Sequence, residues 1–372
     1  MRRRSFVASG LGLVAAAAAG GMHGAAGDTA ARAAQSAPAG GPQGRWLSPV
    51  PGLAPIPEPM PELAGAAVNG KLYASQGQLP GFRPGGLMYE YDPAGDAWTK
   101  MKPMPHPFHH SAVAVLGEKM YFFGGFVLPE SGPPGWVPVN DAWEHDPRTD
   151  TWRALAPMPT KRGAAVAAEA GGKLYVIGGA GPVPGAPNPA IRPGQPQRSL
   201  DAVEEYDPAA NRWRARAPMP TACNHMAGGA VNGKVYVIGG RLSGAFIIAM
   251  PGNTALVQEY DPAADSWAIK APMPTARSGL NAAVLNGIIY VGGGEVQTYQ
   301  YLAAFRAFEA YDPAGNTWWQ LPSMPAPRHE CVMAALGTRV HVVGGDVQSA
   351  IVPLPKGVSF TTDAHHAFEV AP

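Results

Sequence analysis

Pro218-Met219-Pro220, Lys234-Val-Tyr-Val-Ile-Gly-Gly240, Tyr260-Asp261-Pro262 and Trp267 follow one another within 50 residues, and the same succession returns along the chain. Its Met marker falls at Met60, Met104, Met158, Met219, Met273 and Met324. The apolar run is short, β-branched and aromatic and stops at paired glycines, which reads as a buried strand closed by a tight backbone turn. A period of this size means one supersecondary unit repeated until its hydrophobic faces cover one another.

Each unit resolves into four strands. Small-residue runs such as Ala64 to Val68 and His225 to Val231 come first, and their Ala and Gly content suits six strands crowded about an axis. Asn69-Gly70, Asn232-Gly233 and Asn286-Gly287 supply two-residue hairpins, because Asn and Gly accept positive φ. The third strand ends in an aromatic or His before Asp-Pro, and Trp98, Trp152, Trp213, Trp267 and Trp318 each stand seven residues after that ring. Asp bonds its own turn and Pro fixes φ, so the hairpin is rigid and the Trp wedges between units. The sixth unit stops at Phe368-Glu369-Val370 without a Trp, while Trp46 stands 52 residues before Trp98 with no unit of its own. The chain's first strand is therefore expected to complete its last sheet, closing a ring and removing free edges.

Double glycine after an apolar strand, followed by a spaced Tyr and Trp, resembles the Kelch repeat. The resemblance covers residues 45 to 370, with the first unit departing at Gln76-Gly77-Gln78. It implies an all-β, six-bladed Kelch-type β-propeller over 45–372. It implies little about chemistry, since Kelch propellers include sugar oxidases, sialic-acid epimerases and binding scaffolds.

Charged residues make up 15% of the chain and net charge is +1, which leaves no electrostatic footprint for nucleic acid and no polybasic run for a membrane surface. Arg3-Arg4-Ser5-Phe6-Val7 resembles a twin-arginine export signal, and the apolar run to Ala19 is too short to span a bilayer. An ordinary secretory signal is the alternative. Residues 1–44 are thus assigned to signal peptide and linker, and the protein to the periplasm or the exterior. Export permits a disulfide, but Cys223 and Cys331 lie two repeats apart and no bridge is expected.

One end of the ring is monotonous. At the other, the interval from the glycine pair to the third-strand ring runs from 17 to 27 residues, which marks the binding face. Phe82, Phe126, Trp136, Phe246, Tyr299, Tyr301 and Phe360 sit in those loops, either to stack on a ring-shaped ligand or to pack on one another. The entry to each first strand should ring the axial mouth on this face. There the repeats place Glu62, His109, His110, Arg162, Asn224, His225, Arg277, Arg328, His329 and Glu330. His110, His225, Glu330 and Glu62, from separate blades, could hold a divalent transition metal, since neutral imidazole and carboxylate are both available near pH 7. A polar mouth binding its ligand directly, or merely filled with water, are the other readings.

Two classes of function follow. One is a binding protein taking a small polar molecule, a glycan or an envelope protein at the variable-loop face. The other is an exported enzyme acting on a sugar-like substrate, with Glu62 or Glu330 as acid/base beside His110 and His225, and Arg162, Arg277 and Arg328 holding an anion. Narrower versions are a copper-radical oxidase, for which Cys223 lies in the right zone but no flanking pattern matches, and a sialic-acid epimerase, for which only the blade count and location match.

Overall fold

Alternating apolar and small residues, punctuated by glycine, give six four-stranded antiparallel sheets in the computed structural model. It describes residues 40–47, 52–246, 252–298, 302–349 and 359–372. The segment up to residue 39 on which the export signal is expected, and Tyr299 and Tyr301, lie outside the described residues. Among those described, no helix is long and apolar enough to cross a membrane.

Blade four shows the plan: Ala227–Val231, Lys234–Ile238, Val257–Asp261 and Ser266–Ile269 pair in chain order. The innermost strands of all six blades surround an axial channel of about 160 Å³. Small residues there are a steric requirement. A Cβ on Gly228 would lie 2.5 Å from Val166 Cγ1 of the preceding blade. Blade three adds a hairpin of Ala180–Pro182 with Gln197–Ser199, and Leu302–Ala304 extends blade five.

The turn into the outer strand repeats one bonding scheme. Asp96, Asn211, Asp265 and Asn316 sit at φ of 46–49° and accept hydrogen bonds from the hydroxyls of Tyr91, Tyr206, Tyr260 and Tyr311. Their side chains also accept an amide from the link entering that blade, as at Ala54, Ala156, Ala217 and Ala271. The following Trp indole donates to the carbonyl of the same link residue, Trp98 to Ala54 and Trp318 to Ala271. The Trp thus ties each outer strand to the incoming chain.

Closure uses the same scheme. Gly44–Trp46 pairs with His365–Val370, setting Trp46 opposite Phe368, and its indole donates to Pro322 O at 2.8 Å. The ring of Trp46 lies 5.0 Å from Phe308 of blade five, so the chain's first strand seals the last blade to its neighbour.

Where blade six meets blade one, His341 Nδ1 and His365 Nε2 are 2.8 Å apart, and the His365 ring packs edge-on to Tyr91 at 4.5 Å. Burial holds His341 down at about 4, helped by Arg339, and holds His365 down at about 3, helped by His341. The unfolded chain binds these protons first, near 6.5, so the stability they contribute is full above pH 6.5. It is lost as pH falls toward 4, at about 1.4 kcal/mol per pH unit per histidine. His365→Gln, which keeps a hydrogen-bonding amide in place, is expected to lose thermal stability less steeply than wild type between pH 7 and 4.5. Parallel Tm–pH curves would exclude this account.

Candidate functional site

The chain enters every first strand through two residues with a fixed backbone role. The first pairs with the residue just after the glycine pair: His109 with Phe126, Gly163 with Ala180, Asn224 with Arg241, Ser278 with Glu295 and His329 with Asp346. In blade one the same contact is Gln78 N donating to Pro61 O. The second residue is left-handed in all six blades: Glu62, His110, Ala164, His225, Gly279 and Glu330 have φ between 52° and 60°. That conformation costs about 1–2 kcal/mol for each residue with a Cβ, and such strain gathers where side chains must be aimed. Backbone bonds link the row from blade to blade, Ala164 N to His110 O, His225 N to Ala164 O, Gly279 N to His225 O and Glu330 N to Gly279 O.

Three rows of residues therefore meet at the axis. Glu62 Oε2 lies 2.5 Å from His110 Nε2, and the Glu62 carboxyl also bonds that of Glu330. His329 Nδ1 is 3.3 Å from Glu330 Oε1 and 3.5 Å from Glu295 Oε2. Glu295 is already saturated: it accepts from Arg241, from Gln297 Nε2 at 2.8 Å and from Ser349 Oγ at 2.6 Å. The structure brings Glu62, His110 and Glu330 together, and beside them Glu295, His329 and Glu330. His225 is outside both trios. Its ring stands 5.1 Å from that of His110, with Nδ1 held by Asn224 Oδ1 at 2.5 Å.

Burial sets the electrostatics. It pushes the Glu62 carboxyl up to about 8. Glu330 is raised to about 7 by burial and then by the Glu62 charge, and Asp346 to about 6 by burial and then by Glu330. Burial also pulls His110 down to about 3 and keeps His109 and His225 neutral. His329 goes the other way, because Glu330 and Glu295 outweigh the cost of burying its charge. At neutral pH the site thus combines neutral imidazoles at His109, His110 and His225, a protonated His329, two carboxyls near their midpoints and a fixed Arg241–Glu295 pair.

Aromatic loops cover this cluster. Trp136 packs 4.4 Å from the His110 ring, 5.1 Å from Phe126 and 4.2 Å from Phe246, and Phe82 closes on both Trp136 and Phe246. Blade three makes room for the indole, since Ala164 and Ala180 belong to the same apolar cluster as Trp136 and Ile191. Trp136 and Ile191 exchange backbone hydrogen bonds, which fastens the blade-two loop to the blade-three loop. Phe82, Phe126, Trp136 and Phe246 thus pack on one another.

The arginines correct an expectation: they do not form an anion-holding group at the mouth. Arg162 Nη2 donates to Glu204 Oε2 at 2.7 Å and to the Val176 carbonyl, and Nη1 to the Gly178 and Ala202 carbonyls. Arg277 Nη1 donates to Glu309 Oε2 at 2.6 Å and to the Thr275 carbonyl, Nε to the Gly293 carbonyl and Nη2 to the Val291 carbonyl. Arg328 faces His366 at 3.3 Å, where the other two blades have Glu. Cys223 and Cys331 are both free and buried, and Cys223 lies in an apolar cluster with Met219, Met226 and Tyr175, so it offers nothing to a copper site.

Sequence reasoning missed Arg241, Glu295 and Asp346. Each directly follows its glycine pair, as Phe126 and Ala180 do, and that register was the signal available. In blade one Gln76 takes the first glycine's left-handed place at φ 72°, and its amide bonds Ser111.

Models of the Kelch motif match residues 107–159, 161–220, 222–274 and 276–325, together more than half the chain. Kelch-like protein terF of Aspergillus terreus is 26% identical over 320 residues, spanning 84% of this chain and 67% of that protein. Kelch-like protein 25 of Xenopus laevis is 31% identical over 258 residues, but the chain spans only 40% of its length. The solved structure titled "Structure of YjhT" superposes with a TM-score of 0.66 at 17% identity, covering 84% of this chain and 95% of that one. The six closed blades, the repeated motif and these matches place the chain in the Kelch-repeat family.

Proposed function

We infer that this Kelch propeller binds a small polar ligand at the axial end covered by Trp136. The observation that carries the reading is the set of buried or half-buried, strained, titratable side chains from four blades, Glu62, His110, His225 and Glu330, of which the two carboxyls are raised to about 8 and about 7. A scaffold has no use for such groups, whereas a ligand of hydroxyls or carboxylates is matched by them. The chain is proposed to work outside the cytoplasm, on the strength of Arg3-Arg4 and the short apolar run after them. Thermal-shift measurements with neutral and acidic monosaccharides should raise Tm in wild type and not in Glu330→Gln. A panel that shifts neither, or both alike, argues against the axial site.

An enzymatic reading is favoured by the same carboxyls, which are poised to exchange protons at neutral pH. It predicts a ligand that is consumed, with a rate that falls on both sides of neutrality. A protein partner in the envelope would instead dock on the outer loops without needing the axial groups, and Glu330→Gln would leave its binding unchanged.

A further inference from the structure

We propose that Glu62, His110 and Glu330 form a binding site for one divalent first-row transition ion, of which zinc is the probe. The proposal rests on the axial-ligand reading above and names what would sit at its centre. Three blades deliver one imidazole and two carboxylates whose donor atoms all lie within 4.8 Å of one another, so small side-chain shifts bring them around one ion.

The partners of His110 prepare it for that role. Its Nδ1 is 2.5 Å from His109 Nδ1. His109 also bonds the Phe82 backbone, and its Nε2 lies 3.4 Å from the Gln78 amide. With Nε2 donating to the Phe82 carbonyl and the Gln78 amide turned to present its oxygen, His109 accepts at Nδ1 and His110 donates. This leaves the lone pair of His110 Nε2 aimed at Glu62. A ligating histidine is typically held this way, its second nitrogen donating to a fixed partner. His110 Nε2 is buried and has no aligned hydrogen-bond partner, although the Glu62 oxygen is close enough to share a cation with it.

The neighbouring trio of Glu295, His329 and Glu330 has the same residue types but another job. Glu295 is spent on Arg241, Gln297 and Ser349, and His329 Nε2 bonds the Gln348 carbonyl at 3.0 Å. That leaves His329 Nδ1 to orient Glu330 as a positioning residue. The axial channel begins at the residues directly after this row, Leu63, Ser111 and Cys331 among them, and gives an ion a route that avoids the aromatic cover.

The full chain, stripped with chelator and dialysed, is titrated with zinc chloride by calorimetry and its metal content measured. One ion per chain is expected. Glu62→Gln, His110→Gln and Glu330→Gln should each weaken zinc by more than the ~10–100-fold that loss of an outer partner costs, and His329→Gln by that lesser amount. His106→Ala removes an exposed histidine paired with Asp141 and should change nothing. Cobalt in the wild-type protein should give visible bands without a thiolate charge-transfer band, a result independent of whether any variant folds. Cooperatively melting wild type that takes up no zinc, variants that keep wild-type affinity, or a thiolate band each overturn the site. Monosaccharide shifts on the stripped protein separate the two readings: shifts without zinc binding leave the polar-ligand site standing, and zinc without shifts leaves the metal site alone.

Discussion

A chain shortened to begin at Gly52 is expected to lose cooperative unfolding and to self-associate. The missing segment carries the three pairs Gly44 with Val370, Arg45 with Glu369 and Trp46 with Phe368, together with the indole bond to Pro322. Losing a packed Trp costs about 3–5 kcal/mol and each net hydrogen bond about 1, a large part of the ~5–15 kcal/mol that holds a domain folded. The edge of His365–Val370 would also lie open to other chains. Trp46→Ala, which keeps the strand but not the ring, should lower Tm while leaving the oligomeric state as in wild type. Calorimetry with size-exclusion chromatography reads both. If the shortened chain melts like wild type, the first strand does not hold the ring closed.

Arg277→Ala is expected to cost about 3–5 kcal/mol, because it strands the Glu309 carboxylate in a site 2% exposed. Arg277→Met with Glu309→Leu should recover most of that loss, since a well-packed apolar pair avoids desolvating two charges. Arg328 provides the contrast. Among the described residues its guanidinium has His366 and the Pro327 carbonyl but no carboxylate bond, and burial lowers its proton affinity. Arg328→Met should therefore cost less than Arg277→Ala. Urea titrations of the three variants decide the order, and equal losses at Arg277 and Arg328 would mean that Glu309 is not what makes Arg277 costly to remove.

The ring was legible because its determinants are local and repeated. Asn-Gly hairpins, Asp-Pro turns and a Trp at constant spacing each dictate backbone geometry within a few residues, and the orphan Trp46 followed from counting. The first half of the site was legible for the same reason, as Glu62, His110 and Glu330 share one register. The arginines were not, because the carboxylates of Glu204 and Glu309 come from strands some 30–40 residues downstream. A clue was present in the repeats: only the two blades with Arg162 and Arg277 carry Glu two places before the third-strand Tyr. The lid was open to two readings because aromatic loops can face a ligand or each other, and only packing decides.

Six left-handed residues, five of them linked in a row by main-chain bonds and the sixth, Glu62, next to Leu63 whose amide bonds Glu330 O, make a frame that does not depend on which side chain each one carries. Here that frame holds two acids, two imidazoles, an alanine and a glycine. Chemistry can then be exchanged socket by socket, with the backbone cost of each socket met by the ring as a whole. A related propeller could change its cargo by rewriting two or three of these addresses and leaving the architecture untouched.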